Sequence, residues 1–531
     1  MYTPQFFFLK KARLKIRFIQ KGYKTLKKTN QLDFLKRLND LLVRTKLINT
    51  HFSKTIQTTH LNFELSTRQY LYTRILEKPF NEAVLLSIGS GKNLKYPLPK
   101  EWRIRLVEEG VKIDKLACSF LWVGYILKLW VINVIKGVIS FFKLYRGYKD
   151  LKKYVYFDQI AENSLPSNNK DHTIVNWYLQ WKNNIKKINS IVHSDENVND
   201  YKYKNLNIFF SDGLPQIKGF TLFKYILWSL YLCFYSLFFI VNKPYSSILL
   251  FEQLKLIRVK LSSKENIVSD ALFNNSNAYY RPLWTYEAKE MGARILFYFY
   301  STNIENFKIE NGYSTQNPWH ITSWPYFLIW DDFQKRFLER NKQFEAIKEK
   351  VGIIWFSSTS KKIDIQKNAI AVFDITPYRP SHYFWRIKEP EYYIFNIIDL
   401  FLSDIQNVLS RNNFCMLHKM KRENKFVDKR YARGIKKLNT RLNYIEVDPN
   451  IDALHVIKKT TACISLPFTS TALIAKEEGK PSVYYDPTGT LQIDDRAAHG
   501  ILILRGIGEL DEWVNDLENK PKTAGLKSFE N

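Results

Sequence analysis

The stretch ACISLPFTSTALIAKEEGKPSVYYDPTG, residues 462–489, decides the reading of this chain. An apolar strand ends at Leu466, and Pro467 and Phe468 break it. Thr469, Ser470 and Thr471 then open a helix that runs to about Glu478 and is stopped by Gly479, after which PSVYYD returns as a strand. Strand, helix and strand in that order predict a parallel sheet. Hydroxyls and free backbone N–H groups at the helix mouth, above the carboxyl ends of the strands, form a ready anion site, with a nucleotide phosphate the obvious occupant. The same Ser and Thr residues also suit an ordinary helix cap with no ligand, and spacing alone leaves both readings open.

Upstream the same texture continues. Short runs at 369–374, 413–419, 443–448, 461–466 and 481–486 make one strand series, closed by a helix over 509–520. An earlier series falls at 246–253, 293–302, 325–332 and 351–359, with a helix expected over 333–350. The expected organisation is a basic, largely helical region over 1–245, a first α/β domain over 246–358, a polar hinge at 359–367, a second α/β domain over 368–515 and a tail over 516–531. No internal repeat, GxGxxG or GxxxxGK[ST] pattern occurs, so neither a standard dinucleotide fingerprint nor a P-loop is supported.

With 531 residues, 45% of them hydrophobic, the chain has ample material for several cores and is not a disordered polymer. Its four cysteines are scattered without metal or disulfide spacing, which fits reduced thiols in a cytoplasmic setting. No secretory signal is visible at the start. The net charge is +29, and the first fifty residues carry thirteen Lys or Arg against Asp33 and Asp40, interleaved with Phe and Ile as in a basic amphipathic helix. Such a helix suits an anionic lipid surface, or covers a core with Lys stems. Two apolar runs, 119–142 and 225–241, raise a membrane question. A span needs about 20 apolar residues, so the second is short, and the first contains Lys128 and Lys136. In-plane attachment, burial in a core and true crossing all remain open, with a peripheral or monotopic place at the cytoplasmic membrane face the leading expectation.

The segment around Pro467, Phe468, Thr469 and Ser470 resembles the PFTS-motif proteins of polysaccharide biosynthesis, as do AIAVFDITPYRP (369–380), LHKMKRE (417–423) and RPLWTYEAKEMGARILFYFYSTN (281–303). The resemblance covers roughly 246–515. It implies a glycosyltransferase-like protein of surface-carbohydrate synthesis, with two facing Rossmann-like domains of the GT-B type and a nucleotide-sugar co-substrate bound mainly by the second. The chain is also distantly similar to capsule and lipopolysaccharide transferases that use CMP-activated acidic sugars. Those place a His-Pro pair after the second strand of the donor domain, where this sequence reads His418 and Lys419, so the donor stays open.

The residues agree with that placement. Lys419, Lys421 and Arg422 follow a strand and could neutralise a phosphate leaving group without a metal. Arg379, with Thr376 and Tyr378 in the loop after strand 369–374, adds to the donor side, as do Pro467 to Thr471 and Asp486, though a strand-end Asp before Pro is often a turn former. For the base that takes the acceptor proton, Asp374 at the strand end ranks first and Glu287 second, with His418 a weaker choice. No metal ligands at diagnostic spacing occur, and no cofactor is expected beyond the co-substrate. Expected partners are a nucleotide sugar, a glycan or glycolipid acceptor and an anionic membrane. The rival readings are a non-catalytic assembly subunit, a nucleotide-sugar epimerase or hydrolase on the same fold, and a nucleic-acid-binding protein. The last lacks any helix-turn-helix, zinc-finger or RNP-type pattern.

Overall fold

The computed structural model describes residues 4–29, 34–48, 50, 63–146, 151–160, 162–167, 173–277, 279–302, 305, 307–309, 312–313, 319–341, 345–354, 368–378, 392–420 and 427–519. The expected hinge, 359–367, lies outside them.

Two sheets organise the chain. The first contains β1 (Tyr154–Phe157), β2 (Ser190–His193), β3 (Tyr201–Tyr203), β4 (Leu206–Phe210), β5 (Asp270–Asn274), β6 (Arg294–Tyr298), β9 (Tyr326–Ile329) and β10 (Ile347–Lys350). Its order is β10-β9-β6-β5-β1-β2-β4-β3, parallel throughout except for the edge strand β3. A small antiparallel hairpin, β7 (Lys308–Ile309) with β8 (Gly312–Tyr313), stands apart. The second sheet contains β11 (Ala369–Phe373), β12 (Cys415–Lys419), β13 (Tyr444–Val447), β14 (Ala462–Ser465), β15 (Ser482–Asp486) and β16 (Leu502–Arg505). All its pairs are parallel, in the order β13-β12-β11-β14-β15-β16. Central strands such as β11 and β14 are buried along their whole length, as a sheet covered by helices on both faces requires.

These sheets and the helices beside them correct three expectations. The first α/β unit begins near residue 151 and not at 246, because β1 to β4 supply half of its sheet, while 1–245 is largely helical as expected, with these four short strands set among its helices. The run 246–253 is helical instead of extended: Leu250–Lys260 is a helix whose buried Leu250, Leu254 and Ile257 repeat at helical spacing. The helix expected over 333–350 ends at Asn341, and β10 follows.

The basic first helix forms, over Pro4–Lys28. It buries Ile19, Tyr23 and Leu26 in a helical bundle with Leu85, Trp102 and Leu256. It crosses the Asn81–Ser90 helix so closely that a Cβ on Gly22 would lie 2.1 Å from the Leu85 carbonyl oxygen. At least that part of its apolar face serves the core.

Candidate functional site

Counted in order of appearance, the second sheet runs 3-2-1-4-5-6, so its strand order reverses between β11 and β14. In such sheets the crevice outside the carboxyl ends at the reversal is where ligands bind. Residues 466–471 leave β14 at that point, and Leu466 N donates to the Phe373 carbonyl of β11 at 2.8 Å.

The loop is tightly built. Phe468 sits at φ +63°, a costly region for a side chain with a Cβ. Its ring is held by Phe307 at 4.7 Å and Tyr484 at 5.7 Å. Pro467 accepts from the Tyr393 hydroxyl at 3.1 Å. The Thr469 hydroxyl donates to the Leu466 carbonyl, and the Thr471 hydroxyl bonds Ser465 at 2.8 Å, so both serve the turn. Thr469 is the cap residue of the Ser470–Glu477 helix but makes no side-chain cap bond to it. Ser470 alone of the three hydroxyls points across to the first unit, where its Oγ lies 3.3 Å from both the backbone N and Oγ1 of Thr302.

The other sequence-predicted residues are placed as follows. Asp374 is not at the cleft edge. Its side chain is fully enclosed, Tyr431 donates to Oδ2 at 2.6 Å, and His418 Nε2 stands 3.3 Å from the same oxygen. His418 Nδ1 in turn bonds the Tyr444 hydroxyl at 2.8 Å, which makes a sealed Tyr431–Asp374–His418–Tyr444 chain under the crevice. Glu287 lies on the Trp284–Glu290 helix, packed on the Leu250–Lys260 helix and close to Lys260, which ends that helix ahead of β5. That is the amino side of the first sheet, away from the second unit. Burial pushes its carboxyl up, offset by Lys260.

Lys419 does end β12, but its ammonium donates to the Met420 and Pro449 carbonyls. Asp486 is wholly buried and accepts from Tyr392, Thr488 and the Leu491 N–H, which makes it a turn anchor and leaves it no surface for a ligand. Thr376 is buried and Tyr378 half-buried, bridged through its backbone to Val427. Arg379, Lys421 and Arg422 lie outside the described residues.

A second cluster, unseen in the sequence, joins the units. Asp331 follows β9, and His499 Nδ1 meets its Oδ2 at 2.6 Å. Lys308 N donates to Asp495 Oδ2 at 2.7 Å and Arg496 stacks on Tyr313 at 3.6 Å, while within the first unit Arg340 pairs with Glu305. The partners leave the carboxyl ends of β6, β9, β14 and β15, so the carboxyl edges of the two sheets face each other, the GT-B-like arrangement. Burial pushes the Asp331 carboxyl up, but His499 and the N–H groups of Gln334 and Phe333 outweigh it and hold it below the usual range. A carboxylate accepting at Nδ1 puts the ring proton there and leaves Nε2 with its lone pair. That Nε2 is buried without a partner among the described residues. The arrangement can orient an imidazole to take a proton.

Residues 235–514, more than half of the chain, match the model of the family described as polysaccharide biosynthesis PFTS motif protein. The chain belongs to this family. The signature tetrapeptide is the turn at the switch point, Pro467 to Ser470. No curated protein matches the sequence. Among solved structures, the wall teichoic acid polymerase TagF is similar at 9% identity and a TM-score of 0.38, over 74% of this chain and 88% of that one. TarM is similar at 12% and 0.30, over 50% of this chain and 51% of that one, so this chain spans about half the length of TarM. Sucrose-phosphate synthase from Thermosynechococcus elongatus is similar at 9% and 0.35, over 69% and 90%. These are low similarities. What can be said of function in this PFTS protein rests on the family and on the site's own geometry.

Proposed function

We propose that this PFTS protein transfers a glycosyl group from a nucleotide-activated donor to a surface polysaccharide or lipid-linked glycan at the cytoplasmic membrane face. The observation that carries the reading is the position of the PFTS turn: it opens a helix at the strand-order reversal of one parallel sheet and faces the carboxyl edge of another. Backbone N–H groups of the Ser470–Glu477 helix receive the donor phosphate, and Ser470 exchanges its contact with Thr302 for a phosphate oxygen when the units part. His499, oriented by Asp331, takes the proton of the acceptor hydroxyl as it attacks the anomeric carbon. The nucleotide leaves with the bonding electron pair, stabilised by the helix mouth without a metal. A CMP-activated donor is one choice to test beside UDP- and GDP-sugars.

A thermal-shift screen of CMP, UDP, GDP and their sugars tests the reading, because a ligand that binds only the folded state raises apparent stability as ln(1 + [L]/Kd). A shift with one nucleotide, clearly reduced in Ser470→Ala at the same ligand concentration, supports it. No shift with any nucleotide, together with no consumption of any nucleotide sugar in the presence of membranes, would sink it.

A further inference from the structure

The two apolar runs form the helices Lys115–Arg146 and Gly219–Phe238, and both lie lengthwise on the protein body with one face open. In their most apolar windows only 22% and 17% of residues are buried, far from what a core helix shows. The inward stripe of the first is Trp122, Ile126 and Asn133, and that of the second is Tyr225, Leu232 and Ser236. The outward face carries Phe120 at 77% exposure, Ile135 at 51%, Phe220 at 70%, Phe234 at 61% and Phe238 at 84%. An open apolar surface of this kind on a soluble body marks a contact surface.

Its chemistry names the partner. Neither helix contains an Asp or Glu. Lys128, Lys136 and Lys224 are exposed among the apolar side chains, and Lys218 is exposed at the edge. Apolar bodies with snorkelling cations and no acids complement an anionic lipid surface, where the rings enter the acyl boundary and the ammonium groups stay with the headgroups.

The packing beneath rules on orientation. Asn133 donates to the Ser247 and Ile248 carbonyls, Trp130 donates to Ser236, and Ser247 donates to the Ser236 carbonyl. A Cβ on Gly137 would stand 2.8 Å from Leu254. Both helices are thus fastened to the Pro244–Ile248 helix and pack on the Leu250–Lys260 helix that follows it, which carries the Lys255–Glu252 and Arg258–Asp212 ion pairs. Driving either helix across a bilayer would drag those charges into hydrocarbon or tear the packing apart.

We propose that the two helices form one monotopic docking face for an anionic bilayer and that neither crosses it. The proposal does not depend on the transfer reading. The test is flotation of the full chain with vesicles of phosphatidylcholine alone and of phosphatidylcholine with an equal part of phosphatidylglycerol. Wild type should float with both and better with the second. Ile135→Glu with Phe234→Glu, at exposed positions, should lower binding about tenfold or more at an unchanged melting temperature. Lys128→Glu with Lys136→Glu should remove only the preference for the anionic vesicles. External protease should leave no protected fragment. A protected piece containing either helix would overturn the proposal in favour of a span. Undiminished flotation of the Glu variant, or a wild-type dimer that this variant dissociates without any vesicle binding by wild type, would overturn it as well.

Discussion

His499 and Asp331, 168 residues apart, meet between the two sheets with Nδ1 2.6 Å from Oδ2. The carboxylate fixes the ring so that Nε2 is the atom left to accept a proton, and in this closed arrangement Nε2 is covered. In the proposed transfer, an acceptor would reach it once the units separate. On that proposal the pair serves both this arrangement and the chemistry of the opened one.

If that is so, His499→Gln should lower turnover by about 10² to 10⁴-fold while the nucleotide Kd hardly moves. Asp331→Asn should give a smaller loss, because the ring survives with its tautomer unfixed. Single-turnover rates at saturating donor separate chemistry from binding. Full activity of a folded His499→Gln would remove the imidazole from the mechanism.

Ser470→Ala should act differently. It removes the hydroxyl that now bonds Thr302 and leaves the Thr469 and Thr471 contacts that build the turn. Donor affinity should fall about ten- to hundredfold for one lost charge-assisted bond, with little change in melting temperature. Thr302→Val removes the hydroxyl half of the same contact from the other side, leaving the Thr302 N–H, without touching the donor. It should leave donor affinity equal or improved. Isothermal titration of both variants decides, and equal losses in the two would mean that the contact matters only for closure.

The second unit was legible because each of its strands is an apolar run ended by a residue that stops it, as at Asp374, Asp486 and Pro467, and predicted and observed strands there differ by a residue or two. The strand β16, whose ends Leu502 and Arg505 are exposed, was missed. The start of the first unit is hard to read because YVYF, SIVH and YKY are only three or four residues each, too short for a strand periodicity to show. The helix at Leu250 reads as a strand in sequence because its polar positions Glu252, Gln253 and Lys255 are few among the aliphatics. Asp374 was placed correctly at a strand end, but nothing local revealed that Tyr431 and His418 enclose it. The His499 pairing had no local signal, since its partner belongs to the other unit.

The enclosed chain at Asp374 gives a stability prediction. Tyr431→Phe removes the hydroxyl that donates to Asp374 Oδ2 at 2.6 Å and leaves a buried acceptor short of a donor. The cost should be about 1–3 kcal/mol in urea unfolding. Turnover per folded molecule should change little, because Asp374 has no surface from which to touch an acceptor. A stable Tyr431→Phe with abolished turnover would return Asp374 to the chemistry.

Asp452 supplies a pH-dependent test. It caps the Ala453–Lys458 helix by accepting from Leu454 N at 2.7 Å, and burial holds its carboxyl up at about 6, against the opposing pull of the Leu454 N–H, Lys419 and the His455 N–H. In the unfolded chain the same group titrates near about 3.9. The folded state therefore binds this proton more tightly. Its contribution to stability is complete below about 3.9 and is lost as pH rises through about 6, beyond which the buried carboxylate is a constant cost. Asn caps a helix as well as Asp and cannot ionise. Asp452→Asn should thus stabilise the protein by about 1–2 kcal/mol near pH 8, a figure discounted because the carboxyl keeps some contact with water, and the gain should shrink toward zero near about pH 4. Urea melts of both proteins at the two pH values measure the difference. Lys419 adds a second readout, since its ammonium is anchored on the Pro449 carbonyl in the same loop and feels the Asp452 charge. If that loop borders the donor crevice, the Asn variant should also bind nucleotide at least as tightly as wild type near pH 8, having lost a negative charge from the neighbourhood of a phosphate. A stability difference that stays the same at both pH values would show that the carboxyl titrates normally in the folded protein, and a variant destabilised at both would show that the charge itself holds the loop in place.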